Sequence, residues 1–157
     1  MLRICIASLL LGLGLVTAKT TQAQTLTENT AWLKEQLNEL VDNSEAKPVF
    51  DFNDCLMTMN VDTKEEGIRV KMDMNWPLKE IRKVSYKAAS NGNYTLVLDV
   101  PANQVKGKVK VGIFSKTLRE KGDGGHTSFD LNTRDEKRIQ AIQQRFETSI
   151  RQCQRGS

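Results

Sequence analysis

The sequence predicts an α+β fold: an antiparallel sheet of six or seven strands, or a partly open barrel, capped by a C-terminal helix, with an extra helix on its N-terminal side. Three observations predict it. Apolar residues recur at helical spacing near both ends of the chain. Between those ends, segments of alternating polarity are separated by Gly, Pro and Asn turn signals. Neither a repeat nor a flexible linker divides the 157 residues.

The first residues are of a different kind. Met1-Leu2-Arg3 is a short positive start, Ile4 to Val16 is a 13-residue apolar run, and Thr21-Gln22-Ala23 offers small residues at the positions a signal peptidase reads. Residues 1–23 are therefore expected to be a signal peptide, with Gln24 opening the mature chain. The apolar run is too short for a membrane-spanning helix, which needs about 20 residues. No later stretch qualifies either, so the expectation is an exported protein, periplasmic or extracellular, with no transmembrane span after cleavage. The remaining 134 residues fit one domain, 24–157.

Element by element, residues 25–43 read as a helix. Leu33, Leu37, Leu40 and Val41 form its apolar stripe, Thr27 serves as N-cap, and Asp42-Asn43-Ser44 closes it. Lys47-Pro48 separates the helix from the run of strands. Residues 55–61 and 68–74 alternate around a hairpin at 62–67. Phe50 and Phe52 have the opposite parity to Cys55, which calls for a bulge near Asn53-Asp54 or for burial on both faces. Residues 78–86 bend into a third strand, and Asn91-Gly92 turns the chain into a fourth at 94–100. A fifth spans 108–114 and a short sixth 126–131, after the loop Gly122-Asp123-Gly124-Gly125. In the final helix Ile139, Ile142, Phe146, Ile150 and Cys153 share one face. Thr133-Arg134-Asp135-Glu136 reads as its capping box, and Arg151 and Arg155 suit its C-terminal end.

Charge narrows the function classes. The formal net charge of +4 falls to +2 once Arg3 and Lys19 leave with the signal, too small for a dedicated nucleic-acid binder. The total hides an asymmetry: residues 69–121 hold twelve Lys or Arg against four Asp or Glu. Arg69 and Lys71 share one strand face, and Lys106, Lys108 and Lys110 share another. Lys79, Arg82, Lys83 and Lys87 fall between them in sequence. If those strands are neighbours, the cations form a candidate anion-binding face. The plainer role of such rows is to protect an edge strand or to solvate a surface.

Cysteine usage agrees with export. Cys5 leaves with the signal, and it lacks the small-residue pair of a lipoprotein site. Cys55 and Cys153 remain. Each falls on the core side of its element, and a lone pair in an exported chain is most simply a disulfide. Two cysteines are too few for a zinc site, and they do not form a Cys-x-x-Cys redox motif.

Catalytic chemistry is hard to find. The single histidine, His126, stands beside the glycine loop, without a Gly-x-Ser-x-Gly elbow or an evident orienting acid. No His, Cys and carboxylate cluster has metal-ligand spacing. Strand parity puts Asp51 opposite in phase to Asp54 and Asp62, which weakens a reading of the three as a carboxylate cluster. The 122–125 loop precedes a strand and lacks the Lys-Ser/Thr of a P-loop. No catalytic, metal or cofactor residues are assigned. Asn93-Tyr94-Thr95 has the N-glycosylation pattern. Met57, Met59, Met72 and Met74 gather on two strands, as core filler or as the lining of an apolar pocket.

The step Trp76-Pro77-Leu78-Lys79-Glu80-Ile81-Arg82-Lys83-Val84 resembles the one that precedes a strand in pleckstrin-homology and GRAM-type domains. The close, Phe129-Asp130-Leu131 followed by a helix with Arg138, Ile139 and Ala141, is similar too. The resemblance covers roughly 49–153. It implies a seven-stranded sheet capped by one helix, and a binding rather than a catalytic role. The alternative layout is cystatin-like, a helix leading into an antiparallel sheet, which leaves the closing helix unexplained. Phosphoinositide binding, frequent in PH-like domains, does not carry over to an exported chain, since fold does not fix function. Three functions remain as expectations: a non-catalytic interaction module using the basic face on an anionic surface or protein; a carrier of a small apolar ligand in a methionine-lined pocket; and, last, a hydrolase relying on His126.

Overall fold

The computed structural model describes residues 25–41, 46–119 and 125–156. The expected signal peptide, the helix-closing residues 42–44 and the loop 122–124 lie outside the described residues.

Helix α1 (Leu26–Leu40) buries Leu33, Leu37 and Leu40 on the predicted stripe. Its cap is Thr25 rather than Thr27. The Thr25 hydroxyl accepts the Glu28 N–H at 3.2 Å, and the Glu28 carboxylate accepts the Thr25 N–H at 2.9 Å. Three residues after Thr27 stands Thr30, which cannot return such a bond. Its hydroxyl donates to the Leu26 and Thr27 carbonyls instead. At the other end, α2 (Glu136–Arg155) is capped by Asp135, whose carboxylate accepts the N–H groups of Lys137 and Arg138. Thr133 is displaced to an outer role, accepting the Asp135 N–H. Glu136 accepts a bond from the Tyr86 hydroxyl rather than closing a box.

Among the described residues eight strands lie between the helices: β1 (Val49–Asn53), β2 (Leu56–Glu65), β3 (Ile68–Pro77), β4 (Lys83–Ala88), β5 (Tyr94–Asp99), β6 (Lys106–Val111), β7 (Phe114–Arg119) and β8 (His126–Leu131). They form two antiparallel sheets, β1-β2-β3-β6-β7 and β4-β5-β8, and not one sheet of six or seven strands or a closed barrel. Two hairpins account for the extra strands. The chain reverses at Asp54 (φ 51°) and Cys55, pairing Phe50 with Met59 and Phe52 with Met57. Reversal places both phenylalanines on the methionine face, so no bulge is needed. The segment 108–114 is likewise broken at Gly112, whose φ of 56° starts a turn into β7. The alternation of Val109, Val111 and Ile113 passes through that turn and conceals it.

After β3 the chain leaves the large sheet through a 3-10 turn at Leu78–Glu80, builds β4 and β5, and returns as β6 beside β3. Gly125 leads into β8, its carbonyl accepting the Val100 N–H at 2.8 Å. A Cβ there would meet the Val100 oxygen at 1.7 Å, so the close approach requires glycine.

The two sheets meet through aromatic residues. Phe129 of β8 stands edge-to-face with Phe50 at 5.3 Å and with Trp76 at 5.5 Å, and the Trp76 indole donates to the Thr127 hydroxyl at 2.9 Å. Helix α2 packs on β4, β5 and the 3-10 turn, with Phe146 against Phe52. Helix α1 packs on α2 and β1. Arg138 donates to Gln36 and Glu39, and the Arg145 guanidinium lies 4.4 Å over the Trp32 ring. Among the described residues no helix is long and apolar enough to cross a membrane.

Two contacts fix β1 and the disulfide end. The Asn38 carboxamide accepts the Phe50 N–H at 2.7 Å and donates to the Phe50 carbonyl at 2.9 Å, taking the place of a neighbouring strand. Cys55, in the β1–β2 turn, is bonded to Cys153 of α2, with a Cα separation of 5.6 Å across 98 residues of sequence.

Asn38→Ala leaves both Phe50 backbone groups without that partner. It is expected to lower unfolding free energy in urea by about 2 kcal/mol, whereas loss of a surface bond would leave the midpoint unmoved. Opening the disulfide should remove ~4–5 kcal/mol in the chain-entropy model for a loop of this length. Calorimetry of the C55A/C153A chain is expected to show a melting temperature lower by on the order of 15 °C.

Candidate functional site

The large sheet has two unlike faces, and its register sets both. Opposed residues share a face in antiparallel pairs. On the outer face Asp62, Lys71 and Lys110 form one row, and Asn60, Asp73 and Lys108 the next. Asn75 and Lys106 belong to the row after that. The structure therefore brings together Arg69, Lys71, Lys106, Lys108 and Lys110, because β6 returns beside β3. Lys79, Arg82, Lys83 and Lys87 do not join them, since they belong to the 3-10 turn, the smaller sheet and the link between them.

Acidic residues interrupt the basic face. Asp62 accepts two bonds from the Arg69 guanidinium, at 2.7 and 2.6 Å, and pairs with Lys71 at 3.3 Å. The Arg69 hydrogen bonds, with Lys71 adding to them, hold the Asp62 carboxyl down at about 2. Arg69 is correspondingly raised. Lys106, Lys108 and Lys110 are exposed and close no ion pair among the described residues. Asp51 faces outward in register with Thr58, on the same side as Asp62. Sequence parity does not separate these two carboxylates, because the Asp54 turn resets it. They are committed to different cations all the same, Asp51 to Lys34 at 2.9 Å.

Among the described side chains the inner face is graded and apolar apart from Thr63 of β2 and Lys116 of β7. Phe52, Met57 and Trp76 form its deepest row, followed by Phe50, Met59 and Met74. Val61, Met72 and Val109 come next, then Val70, Val111 and Phe114. Trp76 and Met57 are buried, Met59, Met74 and Met72 are half-buried, and Phe114 is exposed. Over the middle rows lies a cleft of about 510 Å³. Its floor is Met59, Val61, Met72, Met74 and Trp76. Thr127, Ser128, Phe129 and Asp130 of β8 form one wall, and Val41, Ala46 and Pro48 border the rest. Three of the four methionines singled out in the sequence thus line one cavity, and Met57 belongs to the core. The β8 wall was not legible from sequence, because it depends on which sheet receives β8.

His126 opens β8 in an exposed position opposite Asp99. Among the described residues nothing bonds its side chain, and no group of three or more His, Cys, Asp or Glu is placed to hold a metal. The sequon asparagine, Asn93, donates to the Asn132 side chain at 3.3 Å, and Thr95 is buried with its hydroxyl on Asp130 at 2.7 Å.

Comparison of the chain with protein-family models, with curated proteins and with solved structures finds no match in any of the three.

With its folded value depressed, Asp62 contributes to stability above the ordinary carboxylate value of 3.8, and that contribution is lost as pH falls through about 2. A carboxyl-carbon NMR titration is expected to place the Asp62 midpoint near 2 and, in Arg69→Ala, to move it up toward 3.8. An unmoved midpoint would show that Arg69 is not the cause.

Proposed function

We propose that this protein is an exported, non-catalytic binding module that carries a small apolar ligand in the methionine-lined cleft between its two sheets. The observation that supports the reading is the cleft itself: about 510 Å³, floored by Met59, Val61, Met72, Met74 and Trp76. Ligand cavities commonly measure about 300–1,000 Å³ and combine apolar walls with a few polar groups. Here the polar lining is Thr127, Ser128 and Asp130 of β8, the edge strand of the smaller sheet, so a ligand with one polar end and an apolar body fits the division. Flexible, polarisable methionine side chains adapt to ligands of varied outline, which favours a class of related molecules over a single rigid one. The disulfide and the leader-like residues 1–23 support an address outside the cytoplasm.

The likeness to PH and GRAM-type domains belongs to this reading as an architectural analogy, a helix closing antiparallel sheets, and brings no ligand with it. The basic outer face is the second reading. It is favoured by Lys106, Lys108 and Lys110, exposed and without an ion pair among the described residues, whereas Arg69 and Lys71 are held by Asp62. Hydrolysis through His126 has the least support, since among the described residues no nucleophile is bonded to the histidine.

Native mass spectrometry of the protein collected from its host is expected to show a bound species a few hundred daltons above the denatured mass. Met72→Glu puts a charge on the cleft floor at a half-buried position. It is expected to weaken binding of an apolar fluorescent probe at least tenfold with little change in melting temperature. A bare native mass together with unchanged probe affinity would overturn the proposal.

A further inference from the structure

The β6–β7 hairpin departs from the rest of the surface in two ways at once. From Lys106 to Arg119 it contains five cationic residues and not one Asp or Glu. Its turn also carries the most exposed large apolar side chains described: Ile113 is 90% and Phe114 76% exposed. Ile68, at the neighbouring tip of β2–β3, is 53% exposed, and Val111 is 40% exposed. The Gly112 N–H donates to the Arg69 carbonyl at 3.0 Å, so the two tips are joined side by side. Both lie at the end of the large sheet opposite the disulfide and α2. Buried packing cannot account for residues this exposed, and apolar side chains at adjoining tips mark a contact site.

The placement of the charges selects the partner. Lys106, Lys108 and Lys110 extend from the outer face, and Lys116 stands in register with Val109 on the inner face. Cations therefore surround the apolar tip on both sides of the hairpin. A partner protein with one complementary face would meet only one of these rows. A plane of negative charge with an apolar interior meets both, the Ile-Phe tip entering the interior while the lysines stay among the head groups. On the paired hairpin Asp62 is neutralised by its own cations.

We infer that the β6–β7 hairpin docks the protein on an anionic phospholipid bilayer, with Ile113 and Phe114 inserted and Lys106, Lys108, Lys110 and Lys116 against the head groups. This contact is separate from the cleft: the tip is a projection, and none of its residues lines the cavity.

Flotation of the processed, exported protein with vesicles tests it. Binding to equimolar phosphatidylglycerol–phosphatidylcholine vesicles should exceed binding to phosphatidylcholine alone at least tenfold and should weaken as salt is added. The I113D/F114D and K108E/K110E chains should each lose at least tenfold. Both pairs are exposed, so their melting curves should match the wild type. Met72→Glu should bind vesicles as the wild type does. Equal binding to the two vesicle types, or full binding by I113D/F114D, overturns the inference. So does a wild-type dimer in sedimentation that I113D/F114D abolishes, because a second copy would then cover the tip. Loss in Met72→Glu would move the lipid contact into the cleft and overturn it as well.

Discussion

The two sheets differ in length, and most of this molecule's distinctive features derive from that mismatch. β2 and β3 have ten residues each, whereas β4, β5 and β8 have six. At about 3.3 Å per residue the long hairpin reaches well past its cover. Where cover exists, Phe50, Met57 and Trp76 are buried against Phe129 and the helices. Where it stops, the same face continues with Met59, Met74 and Met72, side chains half in and half out. Beyond these, Val111 and Phe114 are exposed. Core, cleft and tip are thus successive rows of one register, in order of decreasing cover, and not three separate inventions of the fold.

The outer face obeys a different balance. Cations in adjacent strands repel unless carboxylates intervene. Asp62 intervenes for Arg69 and Lys71, in a solvent-exposed cluster that stays ionised down to strongly acidic conditions. On β6 nothing comparable occurs among the described residues, and the lysines keep their charge available. The basic character of residues 69–121 is therefore divided. Among the described residues part is spent inside the surface as ion pairs, part is lodged on the smaller sheet and the 3-10 turn and link that lead to it, and the remainder gathers on the β6–β7 hairpin.

The features legible in the sequence were those that depend on near neighbours. The helix stripes, the β2–β3 hairpin and the turn at Asn91-Gly92 rest on local period and local turn chemistry, and so does the core-side placement of Cys153. The misplaced features depend on competition between equally good local signals. Thr25 and Thr27 are both acceptable caps until Glu28 decides. Thr133 and Asp135 compete in the same way. The Gly112-Ile113 turn lacks the Asn or Asp that would announce it, and Val109, Val111 and Ile113 imitate one unbroken strand. Pairing of β6 with β3 across an intervening hairpin leaves no local trace at all. For that reason the methionine cluster was visible but its β8 wall was not, and the lysine rows were visible but not the Asp62 bridge within them.

Synthesis runs in one direction, and the bond between Cys55 and Cys153 has a consequence for it. One partner stands in the first turn of the sheet and the other in the last turns of α2, so the crosslink has no second half until α2 has emerged. Up to that moment β1 waits beside the place that α2 fills, with Phe52 lacking its contact with Phe146. Any chain cut short before residue 153 lacks the crosslink and part of the helix that closes the core.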